Sequence, residues 1–425
     1  MTKSVPNGPN QLRRSLLFLI ASLCINVLHN SDVSSIEELR QTLGVLVRTC
    51  KETGKQRTEL LRNIYAKTME RINRQPGNLA KRVLLWVLCA RRPMSCDEMQ
   101  DALACQPDRW NEEKSEWDAS HISEDKILSA CLGLITMDTG YVRLSHHTAY
   151  EFFASVREQE FPGADDEITK VCLAYLSAYR DRPYVPRPLL FGFGAPRHSP
   201  ASYWRCEFYR YAVFNWGDHA RNASTCQDLL DNFLKDPANV DAISEILDHS
   251  LHQLRSGPLS HPEERTTKLH WIAYFGLEQA CLRLIRKNKF PFQREWKKMV
   301  NHAASSKKMT PLHYAVLEGH VSVAKLLIKH GASVNAVNRN LKTALDLAGD
   351  PDDTNTDLIN LLEKHGGQGF ESPKSKFRHN VEMAITMYRL VRRIMWYMSE
   401  FRRFDAEREE EQRKTSRAGE VEQQD

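Results

Sequence analysis

The segment Thr310–Ala315, with the sequence TPLHYA, opens a 26-residue run that predicts two helices joined by a tight turn. A threonine suits the position before a helix because its hydroxyl can accept a hydrogen bond from an unpaired backbone N–H. Pro311 suits the first helical position because a proline lacks the N–H that would otherwise be unpaired there. Gly319 breaks the first helix, and Gly331 ends the second in the left-handed conformation that glycine adopts at low cost. The run therefore predicts one complete helix–turn–helix unit.

The same pattern recurs on both sides of this unit. Thr343 follows Thr310 after 33 residues, and Thr267 precedes it by 43, so about ten additional residues lie between the first two units, around 290–292. The motif and its period resemble the ankyrin repeat, in which stacked units bury a shared core. We expect three units, with Asp346 in place of the motif histidine in the third. We assign structural roles in this array to Thr310, Pro311, Leu312, His313, Gly319, Gly331, Thr343 and Leu345.

The resemblance to ankyrin repeats implies that the array binds proteins. Such units carry no chemistry of their own, and their concave face and hairpin tips contact partners. We expect Leu312 and Leu327 to be buried between helices. The residues expected to face solvent and to bind a protein partner are Tyr314, Glu318, Arg339 and Asn340.

Upstream of the array, the order of elements predicts a winged helix. Three helices, over 80–90, 96–103 and 123–132, precede a hairpin with strands over 134–137 and 141–144. A Ser95–Glu98 capping box opens the second of these helices. Further predicted elements are helices over 35–46 and 60–72, a polar break over 51–57 and a charged loop over 106–120.

Several short motifs in this region resemble one family module. They are MERI at 69–72, LWV at 85–87, ARRPM at 90–94, DEMQ at 97–100 and VRLSH at 142–146, followed by FYRYAVFNWGDHAR at 208–221. In this order they resemble the winged helix and helical linker that follow the NACHT ATPase in fungal-type signal-transducing NTPases of the STAND class. The same winged helix is known from GPI-inositol deacylases. The resemblance covers about residues 15–366 and implies the sensing half of a signalling protein.

The fold class that follows is mainly α, with a winged helix, a helical linker and a short ankyrin solenoid. The domains are a helical remnant of an ATPase lid at 1–57, the winged helix at 58–160, the linker at 161–262, about three ankyrin units at 263–369, and an amphipathic helix with a charged tail at 370–425.

The chain departs from this family because it shows no P-loop. Gly54-Lys55-Gln56 fails, since no Ser or Thr follows the lysine to hold Mg²⁺. We therefore expect no catalytic residues, no enzyme activity, no cofactor and no metal site. The sequence leaves open whether the chain is a truncated relative, a fragment that lacks its ATPase, or an adaptor. A regulatory module completed in trans by a separate ATPase is the alternative function.

His146 occupies the position at which the related ATPases place a histidine that contacts bound ADP. The resemblance thus gives it a nucleotide-sensing role, while the residues alone favour a hydrogen-bonded structural histidine. A DNA-binding winged helix is the least favoured function. The recognition helix at 123–132 offers Lys126 beside Glu124 and Asp125, and DNA binding requires phosphate neutralisation and donors for base edges.

Composition and charge place the chain in the cytoplasm, with the nucleus as the alternative. The net charge of +5 is too small to imply nucleic acid, and the ten cysteines form no CxxC pair. The apolar run at 15–28 is too short to span a bilayer, so we expect no stable membrane insertion.

The helix at 380–404 is followed by a tail with eight acidic and four basic residues. We favour docking on the array or self-association for this helix over membrane binding. The expected partners are proteins.

Overall fold

The computed structural model describes residues 44, 55–106, 110–111, 116–117, 122–180, 207–252, 265–287, 293–304, 307–349 and 355–369. Within them the fold is mainly α, as predicted. One compact unit ends at Gln368, and Gly369–Asp425 form a second unit. The predicted helix over 35–46, apart from residue 44, and the predicted helix over 380–404 lie outside the described residues.

The winged-helix region contains the predicted helices. Their bounds are Lys55–Arg74 (α1), Leu79–Cys89 (α2), Cys96–Ala104 (α3) and Glu124–Ala130 (α4), and a further helix, His147–Glu160 (α5), follows the wing. The capping box of α3 is present: the Ser95 hydroxyl accepts from the Glu98 N–H, and the Glu98 carboxylate accepts from the Ser95 N–H.

Two segments differ from the prediction. Residues 55–57 of the expected polar break belong to α1, since lysine, glutamine and arginine are favourable helix residues, and residues 51–54 lie outside the described part of the chain. The charged loop expected over 106–120 contains two short antiparallel strands, Trp110–Asn111 (β2) and Glu116–Trp117 (β3). The tryptophans pair in register, and aromatic residues favour strands.

The wing is a three-stranded antiparallel sheet. Met94–Ser95 (β1) pairs with Tyr141–Leu144 (β5), which pairs with Ile135–Asp138 (β4). Thr139 and Gly140 connect β4 to β5 with φ of 50° and 77°, values that suit a two-residue hairpin turn. The prediction had found this hairpin and missed β1, whose two residues are too few to show a period of two.

The helical linker begins with two long helices packed along each other. They are Ala164–Tyr179 (α6) and Glu207–Asn222 (α7), and Gln227–Lys235 (α8) and Pro237–His252 (α9) follow. Their packing is rich in aromatic side chains. Phe208 of α7 lies between Trp86 of α2 and Tyr175 of α6, with ring centroids 5.3 and 5.0 Å away. The winged helix and the linker therefore share one core.

A chain of hydrogen bonds, with Tyr211 and His219 buried at its centre, joins the winged helix to the linker. The Arg91 N–H donates to the Tyr211 hydroxyl at 3.0 Å, and this hydroxyl lies 2.9 Å from His219 Nε2. His219 Nδ1 lies 2.6 Å from the Asp165 carboxylate. Burial lowers the pKa of His219, which favours a neutral ring that donates from Nδ1 and accepts at Nε2. We call Arg91, Tyr211, His219 and Asp165 the polar joint.

Asp166, beside the polar joint, fixes the entry to α8. Its side chain is buried and accepts from the N–H groups of Ser224, Thr225 and Cys226 and from the hydroxyls of Ser224 and Thr225. Burial acts to raise the pKa of Asp166, but these hydrogen bonds outweigh it and lower the pKa to about 2. One carboxylate thus satisfies most donors of the loop between α7 and α8.

The region of the expected ankyrin units contains three helix pairs. They are Lys268–Tyr274 (α10) with Glu278–Lys287 (α11), Pro311–Leu317 (α13) with Val321–Lys329 (α14), and Ala344–Ala348 (α15) with Thr356–Lys364 (α16). The additional residues between the first two pairs include an unexpected helix, Gln293–Val300 (α12). Trp296 ties this helix to the second pair by donating from Nε1 to the His330 carbonyl at 2.7 Å.

The linker packs directly on the first ankyrin pair. Trp216 of α7 contacts Phe275 with ring centroids 4.8 Å apart, and a β-carbon on Gly217 would lie 2.0 Å from the same ring. Trp271 of α10 donates from Nε1 to the Ser244 hydroxyl of α9 at 2.9 Å. The linker therefore covers the apolar side of the first unit, which a repeat array requires at its end.

We expect the free energy of unfolding to depend on pH through Asp166. Its folded pKa of about 2 lies below the ordinary 3.8, so its carboxylate stabilises the fold above about pH 4. This stabilisation is lost as the pH falls through 2. Asp166→Asn should therefore lower stability at pH 7, and the difference from wild type should shrink steadily between about pH 4 and pH 2 in urea titrations. Glu167→Gln, on the exposed side of α6, is the control. A difference that is the same at every pH would contradict the assignment.

Candidate protein-binding surface of the ankyrin units

The first helix of each ankyrin pair begins with the same cap. Thr310 and His313 form a reciprocal pair: the Thr310 hydroxyl accepts from the His313 N–H, and His313 Nδ1 accepts from the Thr310 N–H at 3.1 Å. Thr343 repeats this with Asp346, whose Oδ2 accepts from the Thr343 N–H at 2.7 Å. Asp346 can replace the motif histidine because the cap needs only an acceptor at this position.

The motif histidines also face the next loop of the array. His270, which caps the first unit through Nδ1, lies with Nε2 3.0 Å from the His302 carbonyl. Burial lowers the pKa of His313, while the carbonyls of Lys342 and Ala336 oppose this shift. The His270 ring thus connects the first unit to the loop that leads into the second.

Two asparagines connect neighbouring units at the C-terminal ends of the second helices. Asn301 accepts from the Ser333 N–H at 2.7 Å and donates to the Gly331 carbonyl at 3.0 Å. In the next unit, Asn335 accepts from the Gln368 N–H at 2.8 Å and donates to the Gly366 carbonyl at 2.9 Å. Gly331, at φ 96°, marks the end of α14 as expected. Each asparagine therefore clamps the end of the next outer helix.

Tyr314 does not face solvent, so the expectation that it binds a partner at the surface is wrong. Its side chain is 1% exposed and lies among His270, Trp271 and Tyr274, with ring centroids 5.8–6.1 Å away. Tyr314 lies on the face of α13 that packs against the first unit. Burying its aromatic ring there stabilises the array more than exposing the ring to solvent would. Leu312 and Leu327 are buried as predicted, and Leu345 is partly buried.

Arg339 and Asn340 lie together at an exposed hairpin tip. The buried Asn338 organises this tip, because its Oδ1 accepts from the N–H groups of Asn340 and Lys342 at 2.9 and 3.0 Å. The Arg339 N–H donates to the Lys307 carbonyl at 2.8 Å, which sets the two neighbouring tips side by side. We call Lys307, Lys308, Val337, Arg339, Asn340, Leu341 and Lys342 the hairpin-tip surface.

Glu318 is exposed but lies away from this surface. It caps the C-terminal end of α13, whereas Lys307 and Arg339 lie beyond its N-terminal end. Seven helical residues, about 10 Å at 1.5 Å per residue, separate the two ends. The four residues predicted to bind a partner are thus not one site.

Val337 and Leu341 are exposed members of the hairpin-tip surface that the sequence analysis did not select. Each is 44% exposed. Their sequence signal is two aliphatic residues on either side of an Asn-Arg-Asn turn, where polar residues are usual.

His146 is committed to structural hydrogen bonds. It is the N-cap of α5, where its Nδ1 accepts from the Thr148 N–H, and the Thr148 hydroxyl lies 2.8 Å from the hydroxyl of the buried Tyr65. Burial, together with the neighbouring His147, lowers the pKa of His146 to about 4. His146 is therefore neutral at pH 7. It also lines an open depression of about 520 Å³ with Arg143 and Ser145.

The described residues show neither a cluster of metal-ligating side chains nor a helix long and apolar enough to cross a membrane. On the expected recognition helix α4, Glu124, Asp125 and Lys126 are all exposed. Its exposed first turn thus presents two acids with one base.

Comparisons with known proteins match both regions. Residues 67–172 match the family model of the GPI inositol-deacylase winged helix domain, and residues 307–339 match that of the ankyrin repeat. The chain is also 40% identical over 77 residues to the serine/threonine-protein kinase VIK of Arabidopsis thaliana, and 40% identical over 70 residues to the human ankyrin repeat and IBR domain-containing protein 1. These segments are 18% and 16% of this chain and span 17% and 6% of the two relatives. The ankyrin similarity supports a protein-interaction role.

We expect core and surface positions of the array to differ strongly in stability. Leu327 is fully buried, so Leu327→Ala should lower the free energy of unfolding by about 2–5 kcal/mol through the cavity it leaves. Arg339→Ala, at the exposed tip, should change it by less than about 0.5 kcal/mol. Urea denaturation followed by circular dichroism measures both. Equal losses in the two variants would contradict the burial described here.

Proposed function

We propose that the chain is a protein-interaction module of a NACHT-type, STAND-class signalling system and that it acts without enzymatic activity. Its ankyrin units bind partner proteins, and its winged helix and linker belong to the regulatory part of such a system. The observation that carries the proposal is the order of the regions together with their packing. The winged helix is joined to the linker by the polar joint, and the linker covers the first ankyrin unit.

The hairpin-tip surface is the part of the array best suited to a partner. Arg339 and Asn340 are exposed, while their backbone positions are fixed by Asn338 and Lys307. A fixed backbone with exposed side chains loses little entropy on binding. The inner helix residues serve the fold instead: Thr310 and His313 form a cap, and Tyr314 is buried.

Partner capture with two folded variants tests this function. Arg339→Glu with Asn340→Lys should remove specific partners from proteins cross-linked to the tagged chain in its own cells and identified by mass spectrometry. Glu318→Lys, at the far end of α13, should retain them, and the thermal melting of both variants should match wild type. A partner set that includes a P-loop ATPase would support the signalling assignment. Retention of every partner by the double variant would contradict binding through the hairpin tips.

The second candidate function is a regulatory module of a nucleotide switch that a separate P-loop ATPase completes. The observation that favours it is the depression that Arg143, Ser145 and the neutral His146 line, where the guanidinium and the hydroxyl suit a phosphate. Asp138 also lines this depression and pairs with Arg143 at 3.4 Å, so a phosphate would compete with its carboxylate. Isothermal titration of the isolated chain separates the two functions. We expect no binding of ATP or ADP, because the printed sequence contains no P-loop. Micromolar, Mg²⁺-dependent affinity would favour the second function.

A further inference from the structure

The two hairpin tips share an unusual backbone feature. Lys308 and Leu341 have φ of 52° and 60°, and each lies two residues before the threonine that caps the following helix. This left-handed conformation is strained for residues with a β-carbon and favours glycine. The same strained position is thus occupied by a larger residue in two successive units.

The position of Leu341 also gives its side chain little burial. Its side chain is 44% exposed, and Val337 on the same tip is exposed to the same extent. An exposed aliphatic side chain gains little from the hydrophobic effect. Burial of Leu341 therefore does little to offset the backbone strain at this position. Strain of this kind is typical of residues that serve binding.

The charge around these aliphatic residues has one sign. The segments 307–309 and 337–342 contain Lys307, Lys308, Arg339 and Lys342 and no Asp or Glu. The hydrogen bond from the Arg339 N–H to the Lys307 carbonyl brings the two segments together. The exposed aliphatic pair thus lies on two adjoining segments whose charged residues are all basic.

We propose that the hairpin-tip surface binds an acidic segment of a partner protein, with an apolar side chain of that segment packed on Leu341 and Val337. This inference rests on the proposed function and specifies its partner. The acidic groups complement Lys307, Lys308, Arg339 and Lys342, and the aliphatic pair provides the apolar centre that protein interfaces require. A nucleic acid would complement the charges, but its phosphate backbone offers no contact for Leu341 or Val337.

Selection of short peptides tests the proposal without a known partner. The full chain is the bait for a phage-displayed library of random 12-residue peptides, and selected peptides are synthesised and measured by fluorescence polarisation. We expect them to carry several Asp or Glu residues around a Leu, Ile or Phe. Raising the salt concentration should weaken their binding, since exposed charges are screened.

Three variants separate contact from strain. Leu341→Ala removes the aliphatic side chain and keeps a β-carbon at positive φ, whereas Leu341→Gly removes the side chain and relieves the strain. Both should weaken peptide binding about tenfold or more, but only Leu341→Gly should raise Tm. The control Leu317→Ala changes an equally exposed leucine at the other end of α13 and should leave the affinity within about twofold.

The possible failures are distinguishable. If selected peptides bind but are insensitive to both Leu341 variants, or are not acidic, this inference fails while protein binding by the array stands. If no peptide is enriched, the inference fails and the proposed function depends on the cross-linking experiment alone. If the wild-type chain binds phosphatidylserine vesicles or random single-stranded DNA more tightly than any selected peptide, the surface serves a lipid or a nucleic acid, and the inference is overturned.

Discussion

The polar joint is the interaction on which the arrangement of the regions depends. Arg91, Tyr211, His219 and Asp165 form one chain of hydrogen bonds across three segments that are distant in sequence, with Tyr211 and His219 buried at its centre. A buried polar chain is stable only when every member is satisfied, because a single unpaired group costs more than the bond it lost. Its geometry therefore permits little variation in how α7 lies on α6 and on the end of α2. Asp166 then fixes the loop that follows α7. The adjacent Asp165 and Asp166 therefore hold both α7 and the start of α8 against α6.

Local sequence patterns predicted most of the helices and strands, because helix caps, turns and apolar periodicity depend on residues close together in sequence. Thr310 and Ser95 cap the starts of their helices as predicted, and Gly331 follows the end of α14 as predicted. What the sequence could not show is contact between distant segments. The importance of Asp165 and Asp166 depends on α7 and on the loop after it, and α12 arises in a segment that the repeat period treats as an insertion. The candidate site was predicted in part: Arg339 and Asn340 are exposed, whereas Tyr314 is buried because its helix face turns toward the first unit.

The array separates residues that hold units together from residues available to a partner. The helix caps, the bridging His270 and the asparagine clamps use side chains that belong to the ankyrin motif. The hairpin-tip surface uses positions at which the ankyrin motif restricts the residue type less. There the chain has residues with strained backbone or exposed aliphatic side chains, which a sequence optimised for stability alone would not contain. Stability and recognition are thus assigned to different residues of the same unit, which lets the surface vary while the stacking is preserved.

Helix α7 takes part in two junctions at once. Tyr211 and His219 hold it to the winged helix and to α6, while Trp216 and Gly217 hold it against Phe275 of the first ankyrin unit. Because both sets of residues lie on one short, rigid rod, a rotation of that rod about its axis cannot alter one junction and spare the other. Helix α7 therefore couples the two junctions mechanically. A torque applied to the repeats is therefore transmitted to the winged helix by α7, while Ser244 of α9 and Asp231 of α8 provide further contacts between the linker and the first unit.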